Sequence, residues 1–152
     1  MIVSYLDSSG LLRLCLAEGD VSLVEAALAS VPITSGLALV EVPNAISARF
    51  HRGAIAEQER NDLLRLAEEV LRLVNTLEVS SDVLDEAVRV GSVFLVRALD
   101  ALHLGTAVLA ARQQARWGNQ LRFCTADRRQ AEAAMTLFGR EHVDLLAPLP
   151  TA

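Results

Sequence analysis

The sequence predicts an α/β fold: a three-layer α/β/α sandwich around a central, mainly parallel five-stranded sheet. Three observations predict it. Short β-rich runs alternate with longer helical patterns along all 152 residues, the order that lays strands side by side with their connecting helices on both faces. One helical stretch, 98–111, is apolar almost all round, as a helix in an interior must be. No repeat, low-complexity tract or Pro/Gly linker interrupts the chain. A single domain over 1–152 is therefore expected, long enough for one substantial core.

The elements follow in order. The first strand spans 2–6, rich in β-branched and aromatic residues, and runs into Asp7. A helix opens at Ser8 and Ser9, and strand 31–34 follows. The next helix is expected to start at Ser35, which puts Glu41 about two turns in. Pro43 cannot donate to the Leu39 carbonyl, so it is expected either to bend this helix or to divide it in two. Over 54–74, Leu63, Leu66, Ala67, Val70, Leu73 and Val74 form one apolar face, while the charges on the other face are read as solvated. Strand 77–79 is interrupted by Glu78, which suits a sheet edge. Strands 121–125 and 143–146 complete the sheet.

Bulk composition narrows the function. Net charge is −5, the wrong sign for binding nucleic acid through overall charge, which leaves only a local patch. Mean hydropathy is positive, yet no apolar run approaches the roughly 18 residues of a membrane span, and no secretory signal pattern opens the chain. A soluble, cytoplasmic protein is expected. Cys15 and Cys124 lie in no C-x-x-C or Cys/His cluster, so they are read as reduced, partly buried thiols and no zinc site is expected. All fourteen basic residues are Arg and Lys is absent. Arg suits bidentate phosphate contact, although such usage is equally a compositional habit.

Four acids stand where acids are expensive. Asp7 closes an apolar run, Glu41 lies between Val40 and Val42, Asp100 sits within the interior helix, and Asp127 follows the fourth strand. A buried carboxylate calls for hydrogen bonds, a basic neighbour or a cation. In a parallel sheet ligands gather beyond the carboxyl ends of the strands, and one cavity there could collect all four. Oxygen ligands of this kind suit Mg²⁺ or Mn²⁺, ions that assist phosphodiester hydrolysis. Each acid also has a simpler role. Asp7 and Asp127 fit helix N-caps, Glu41 fits an exposed helix face, and Asp100 can pair with Arg97, three residues earlier. His103 could share the Asp100 face and fits a hydrogen-bonded core or supporting residue better than a ligand.

The segments Tyr5-Leu6-Asp7-Ser8-Ser9, Thr34-Ser35 with Val40-Glu41-Val42, Arg97-Ala98-Leu99-Asp100-Ala101-Leu102-His103-Leu104, and Thr125-Ala126-Asp127-Arg128-Arg129 occur in this order over nearly the whole chain. Together they resemble a PIN domain, and within that group the VapC-type toxins of toxin–antitoxin pairs. The resemblance implies a Mg²⁺- or Mn²⁺-dependent endoribonuclease acting on structured cellular RNA. Asp7 and Asp100 would be the main ligands, with Glu41 and Asp127 completing the shell and Thr125 and Ser8 supplying hydroxyls. It further implies a homodimer and a cognate antitoxin. Many members continue an uninterrupted helix where this chain has Pro43-Asn44-Ala45-Ile46.

An acidic site repels RNA, so steering should fall to arginines on its rim: Arg13, Arg49, Arg52, Arg97, Arg128 and Arg129 are the candidates. Few aromatics are present, which favours shape and backbone recognition over base stacking. A receiver domain is excluded because it needs adjacent acids after the first strand and a Lys near the last. A haloacid-dehalogenase-like phosphatase would need a second acid at residue 9, which is Ser. An RNA-processing nuclease outside a toxin pair and a non-catalytic RNA- or protein-binding module remain as alternatives.

Overall fold

The structure, a computed structural model, describes residues 1–17 and 21–146. Its five strands are β1 (Ile2–Leu6), β2 (Val31–Ser35), β3 (Asn75–Leu77), β4 (Gln120–Thr125) and β5 (Val143–Leu145). They form one sheet in the order β3-β2-β1-β4-β5, and every neighbouring pair is parallel. The helices among the described residues are α1 (Ser8–Leu16), α2 (Ser22–Ala29), α3 (Ala38–His51), α4 (Glu57–Arg72), α5 (Ser81–Val93), α6 (Ala98–Ala115) and α7 (Arg128–Phe138). The three-layer α/β/α sandwich is as expected.

Strand periodicity divides the core between the two faces. Val3, Tyr5, Leu121 and Phe123 pack with Ala87, Val90 and Leu104 of α5 and α6. Leu6 and Cys124 point the other way, toward Leu11, Val24, Val42, Ile46 and Val70. The interior helix behaves as expected: Ala101, His103, Leu104, Thr106, Ala107 and Val108 of α6 are all buried. Gly105 permits its contact with α5, since a Cβ there would stand 2.9 Å from the Ala87 nitrogen.

Chain order creates a crevice. From β1 the chain winds outward through β2 to β3, then returns through α5 and α6 to β4, on the opposite side of β1. The winding direction therefore reverses between β1 and β4, the position where open parallel sheets bind ligands beyond their carboxyl ends.

Three expectations need correction, and for Pro43 one of the two alternatives is excluded. β3 lies at 75–77 instead of 77–79, because pairing of Asn75 with Ile33 and Leu77 with Ser35 decides the register. It is nonetheless the edge strand. α3 begins at Ala38, since Ser35 ends β2 and its hydroxyl accepts the Leu37 N–H at 3.2 Å in the intervening turn. Glu41 is thus in the first turn of α3. Pro43 sits inside one continuous helix, so the chain is not divided there. In α4, Leu63, Leu64, Ala67, Val70 and Leu71 face inward, while Leu66 and Leu73 are exposed, a face rotated from the expected one.

Candidate metal centre

The reversal point gathers the four acids from four parts of the chain. Asp7 directly follows β1, and its N–H donates to the Cys124 carbonyl on β4 at 3.2 Å. Its carboxylate caps α1: Oδ1 accepts the Gly10 N–H at 2.8 Å and the Ser9 hydroxyl at 2.7 Å, while Oδ2 accepts the Thr125 hydroxyl across the crevice. Gly10 permits this approach, for a Cβ there would meet the Cys124 carbonyl at 3.3 Å. Asp7 is only 2 % exposed. Burial pushes its carboxyl above the usual carboxylate range, although His103, Thr125, Gly10 and Ser9 all act against that rise.

Glu41 reaches the crevice from α3. Its Oε1 accepts the Ser8 hydroxyl at 2.9 Å and lies 2.6 Å from His103 Nε2. Ser8 Oγ is itself 3.1 Å from the same nitrogen, and the other ring nitrogen, Nδ1, is 2.8 Å from the Tyr5 hydroxyl. Burial works to raise the Glu41 carboxyl, but His103, Ser8 and Arg97 outweigh it and hold the group below its ordinary value.

Asp100 and Asp127 share one cation within the chain. The exposed Arg97 donates from Nε to Asp100 Oδ2 at 2.9 Å and from Nη2 to Asp127 Oδ2 at 3.4 Å. Asp127 also caps α7 by accepting the Gln130 N–H at 3.0 Å, and its own N–H donates to Thr125 Oγ1 at 3.0 Å. Thr125 therefore joins Asp7 to Asp127. Buried Gln130 adds a tie, donating from its side chain to the Asp100 carbonyl at 3.5 Å.

The simpler roles thus hold for three of the acids: both caps form, and the Arg97–Asp100 pair forms. Glu41 departs from its own, being hydrogen-bonded into the crevice. Expectation placed Ser8 and Thr125 in the acidic site, and they bond its carboxylates. Sequence reasoning missed Ser9, Tyr5 and Gln130. The spacing Asp127-x-x-Gln130 is a capping-box signal, but the Gln side chain turns instead toward Thr125 and Asp100.

The arginines separate into distinct groups. Arg13 is 1 % exposed and contributes to the interior, so it cannot steer RNA from the rim as expected. Arg97 binds the acids themselves. Arg52, Arg128 and Arg129 are exposed and Arg49 is half-buried; Arg128 and Arg129 line an open depression with Arg97, Ala126 and Asp127. Both thiols are buried, more fully than expected. Burial raises Cys15 to about 11 and Cys124 to about 12, so neither is a nucleophile near neutral pH.

As a seat for a metal, the donor set is all hard oxygen and sits at the ligand-binding edge of the sheet. Among the described residues, no three carboxylates, imidazoles or thiols form a ready-made ligand cage. Mg²⁺ does not require one, because it commonly keeps several waters and takes only one or two carboxylates. The donor chemistry therefore fits a hydrated hard cation, with Arg97 supplying positive charge between Asp100 and Asp127.

No family model and no curated protein matches this chain. Solved structures do share its fold. A crystal structure of PAE2754 from Pyrobaculum aerophilum aligns with a TM-score of 0.65 at 19 % identity, over 95 % of this chain and 84 % of that one. A toxin–antitoxin complex from Klebsiella pneumoniae contains a chain that aligns with a TM-score of 0.58 at 20 % identity, over 96 % of this chain and 99 % of that one. No single helix among the described residues is long and apolar enough to cross a membrane.

Proposed function

We propose that the chain is a Mg²⁺- or Mn²⁺-dependent endoribonuclease that cleaves structured cellular RNA, and that it is the toxin of a toxin–antitoxin pair. The observation that carries the reading is the linkage of Asp7, Asp127 and Asp100 through Thr125 and Arg97 at one sheet reversal, with Glu41 held by His103 and by Ser8, the residue next to Asp7. Full-length likeness of fold to a chain in a toxin–antitoxin complex supports the toxin half.

Asp7 and Asp100 would hold the cation, with Glu41 and Asp127 nearby. Bound there, the ion would supply Lewis-acid stabilisation of charge building on a phosphoryl group. The protein's own residues do the rest. Ser9 and Thr125 orient Asp7, Ser8 orients Glu41, and Arg128 and Arg129 offer phosphate contacts beside the site. Exposed Leu84 and Val88 line an apolar depression between α5 and α6 with Val96, Ala101 and Leu102, available to a second copy or to an antitoxin.

The test is cleavage of a structured RNA by purified protein with Mn²⁺ and with EDTA. Wild type should cut only with metal, and Asp7→Asn and Asp100→Asn should be inactive while folded. Full activity in both variants refutes the reading. A non-catalytic RNA- or protein-binding module is the second reading, favoured by the protein partner that every one of the four acids already has. RNA binding without metal-dependent cleavage would select it.

A further inference from the structure

We propose that His103 is a positioning residue: braced by Tyr5 from behind, it holds the Glu41 carboxylate by one oxygen and so fixes where Glu41 meets a cation. The inference rests on the nuclease reading above and adds to it a residue outside the acidic set. His103 is 2 % exposed, and both ring nitrogens are engaged, Nδ1 with Tyr5 at 2.8 Å and Nε2 with Glu41 at 2.6 Å.

The chemistry of the partners sets the direction of the bonds. An ionised carboxylate only accepts, so Nε2 carries the proton that faces Glu41. Nδ1 accepts the Tyr5 hydroxyl when it carries no proton and donates to it when it does, so Tyr5 braces the ring in either state. Tyr5 is fully buried and stacked against Phe123, with ring centroids 5.2 Å apart, so this brace is part of the core. Burial, with Asp7 nearby, also keeps the phenol protonated far beyond neutral pH.

Glu41 needs such a hold. It projects from α3 in the turn that contains Pro43, whose missing N–H leaves one helix bond unmade. Ser8 from α1 and His103 from α6 converge on the same Oε1, so three helices meet at one atom. Groups that orient a ligand from behind typically carry about 10–100-fold in metal affinity or activity.

The experiment measures Mn²⁺ affinity and metal-dependent RNA cleavage for wild type, His103→Leu, His103→Gln, Tyr5→Phe, Glu41→Gln and the Glu41→Gln/His103→Leu double variant. His103→Leu should lose about 10–100-fold in Mn²⁺ affinity or kcat. His103→Gln, whose amide can both donate and accept, should recover most of it. Tyr5→Phe should move the same quantities in the same direction by a smaller factor. In the Glu41→Gln background, His103→Leu should add little, because its effect runs through Glu41.

Losses that multiply in the double variant, or wild-type Mn²⁺ affinity and kcat in a folded His103→Leu protein, overturn the proposal. If His103→Leu does not fold, Tyr5→Phe and His103→Gln decide: wild-type behaviour in the first together with full loss in the second overturns it. Wild type that neither binds Mn²⁺ nor cleaves RNA would bring down the nuclease reading and this inference with it. Wild type that does both, alongside unaffected variants, would bring down this inference alone.

Discussion

Two helical glycines facing the same helix pair should respond oppositely to one added methyl. In α6, a Cβ on Gly105 would stand 2.9 Å from the Ala87 nitrogen, 3.2 Å from its Cα and 3.2 Å from the Val83 carbonyl oxygen. These are backbone atoms of α5 and cannot swing aside. On α5, a Cβ on Gly91 would meet only the Ala101 methyl, at 4.0 Å, an ordinary contact. Gly→Ala gains up to about 1 kcal/mol of helix propensity at either position. Gly105→Ala must set against that an overpacking cost of about 1–3 kcal/mol. Gly91→Ala should therefore be stabilised by up to about 1 kcal/mol and Gly105→Ala destabilised by up to about 2 kcal/mol. Urea unfolding with an unchanged m-value reads the difference, which corresponds to roughly 2–4 °C in Tm per kcal/mol for a domain of this size. α6 also carries Asp100 and His103, so any shift that relieves the clash should weaken Mn²⁺ binding in Gly105→Ala alone. A Gly105→Ala protein as stable as Gly91→Ala would refute the packing argument.

Three further outcomes are expected. The Asp7 carboxyl has a raised folded pKa, so its contribution to stability is complete below the unfolded value and is lost as pH rises through the folded one; Asp7→Asn should be more stable than wild type at neutral pH, with the advantage shrinking in acid, and a less stable variant at neutral pH counts against this. Mg²⁺ or Mn²⁺ should raise the melting temperature and EDTA should reverse it, with a gain near 2.7 kcal/mol at about a hundredfold excess over Kd; no shift in calorimetry argues against a metal centre. Arg97 is 76 % exposed, where ion pairs are worth only about 0–1 kcal/mol, so Arg97→Gln should barely change stability while tightening Mn²⁺ binding several-fold; weaker binding by titration calorimetry would show that Arg97 supports the cation instead of competing with it.

Much of this architecture was legible because its signals are local and strong. Alternating strands and helices, together with the apolar stretch that became α6, were enough for the sandwich, and caps at Asp7 and Asp127 follow from residue type and position. Registers were harder. β3 is three residues long and is placed by its partner β2, so Asn75, a poor strand former by propensity, lies inside it while Val79 does not. The start of α3 hinged on the Ser35 side chain, which spends its oxygen on the Leu37 amide instead of capping a helix. Within the site, the acids stood out because charge amid apolar neighbours is conspicuous, whereas Tyr5 looked like ordinary core until its hydroxyl was seen against His103. Arg13 was misjudged for the converse reason, since a charged side chain among leucines on α1 gives no sign in sequence of which way it turns.

The strand order has a consequence in time. Asp7 and the Thr125 hydroxyl that contacts it are 118 residues apart, and β1 acquires β4 as a neighbour only when that late segment has left the ribosome. Until then one side of β1 remains an open edge with unpaired amides and carbonyls, and Asp7 has no opposite wall. A nascent copy that still lacks β4 therefore cannot assemble the acidic crevice, and any hydrolytic capacity can arise only after Asp127 has emerged from the ribosome.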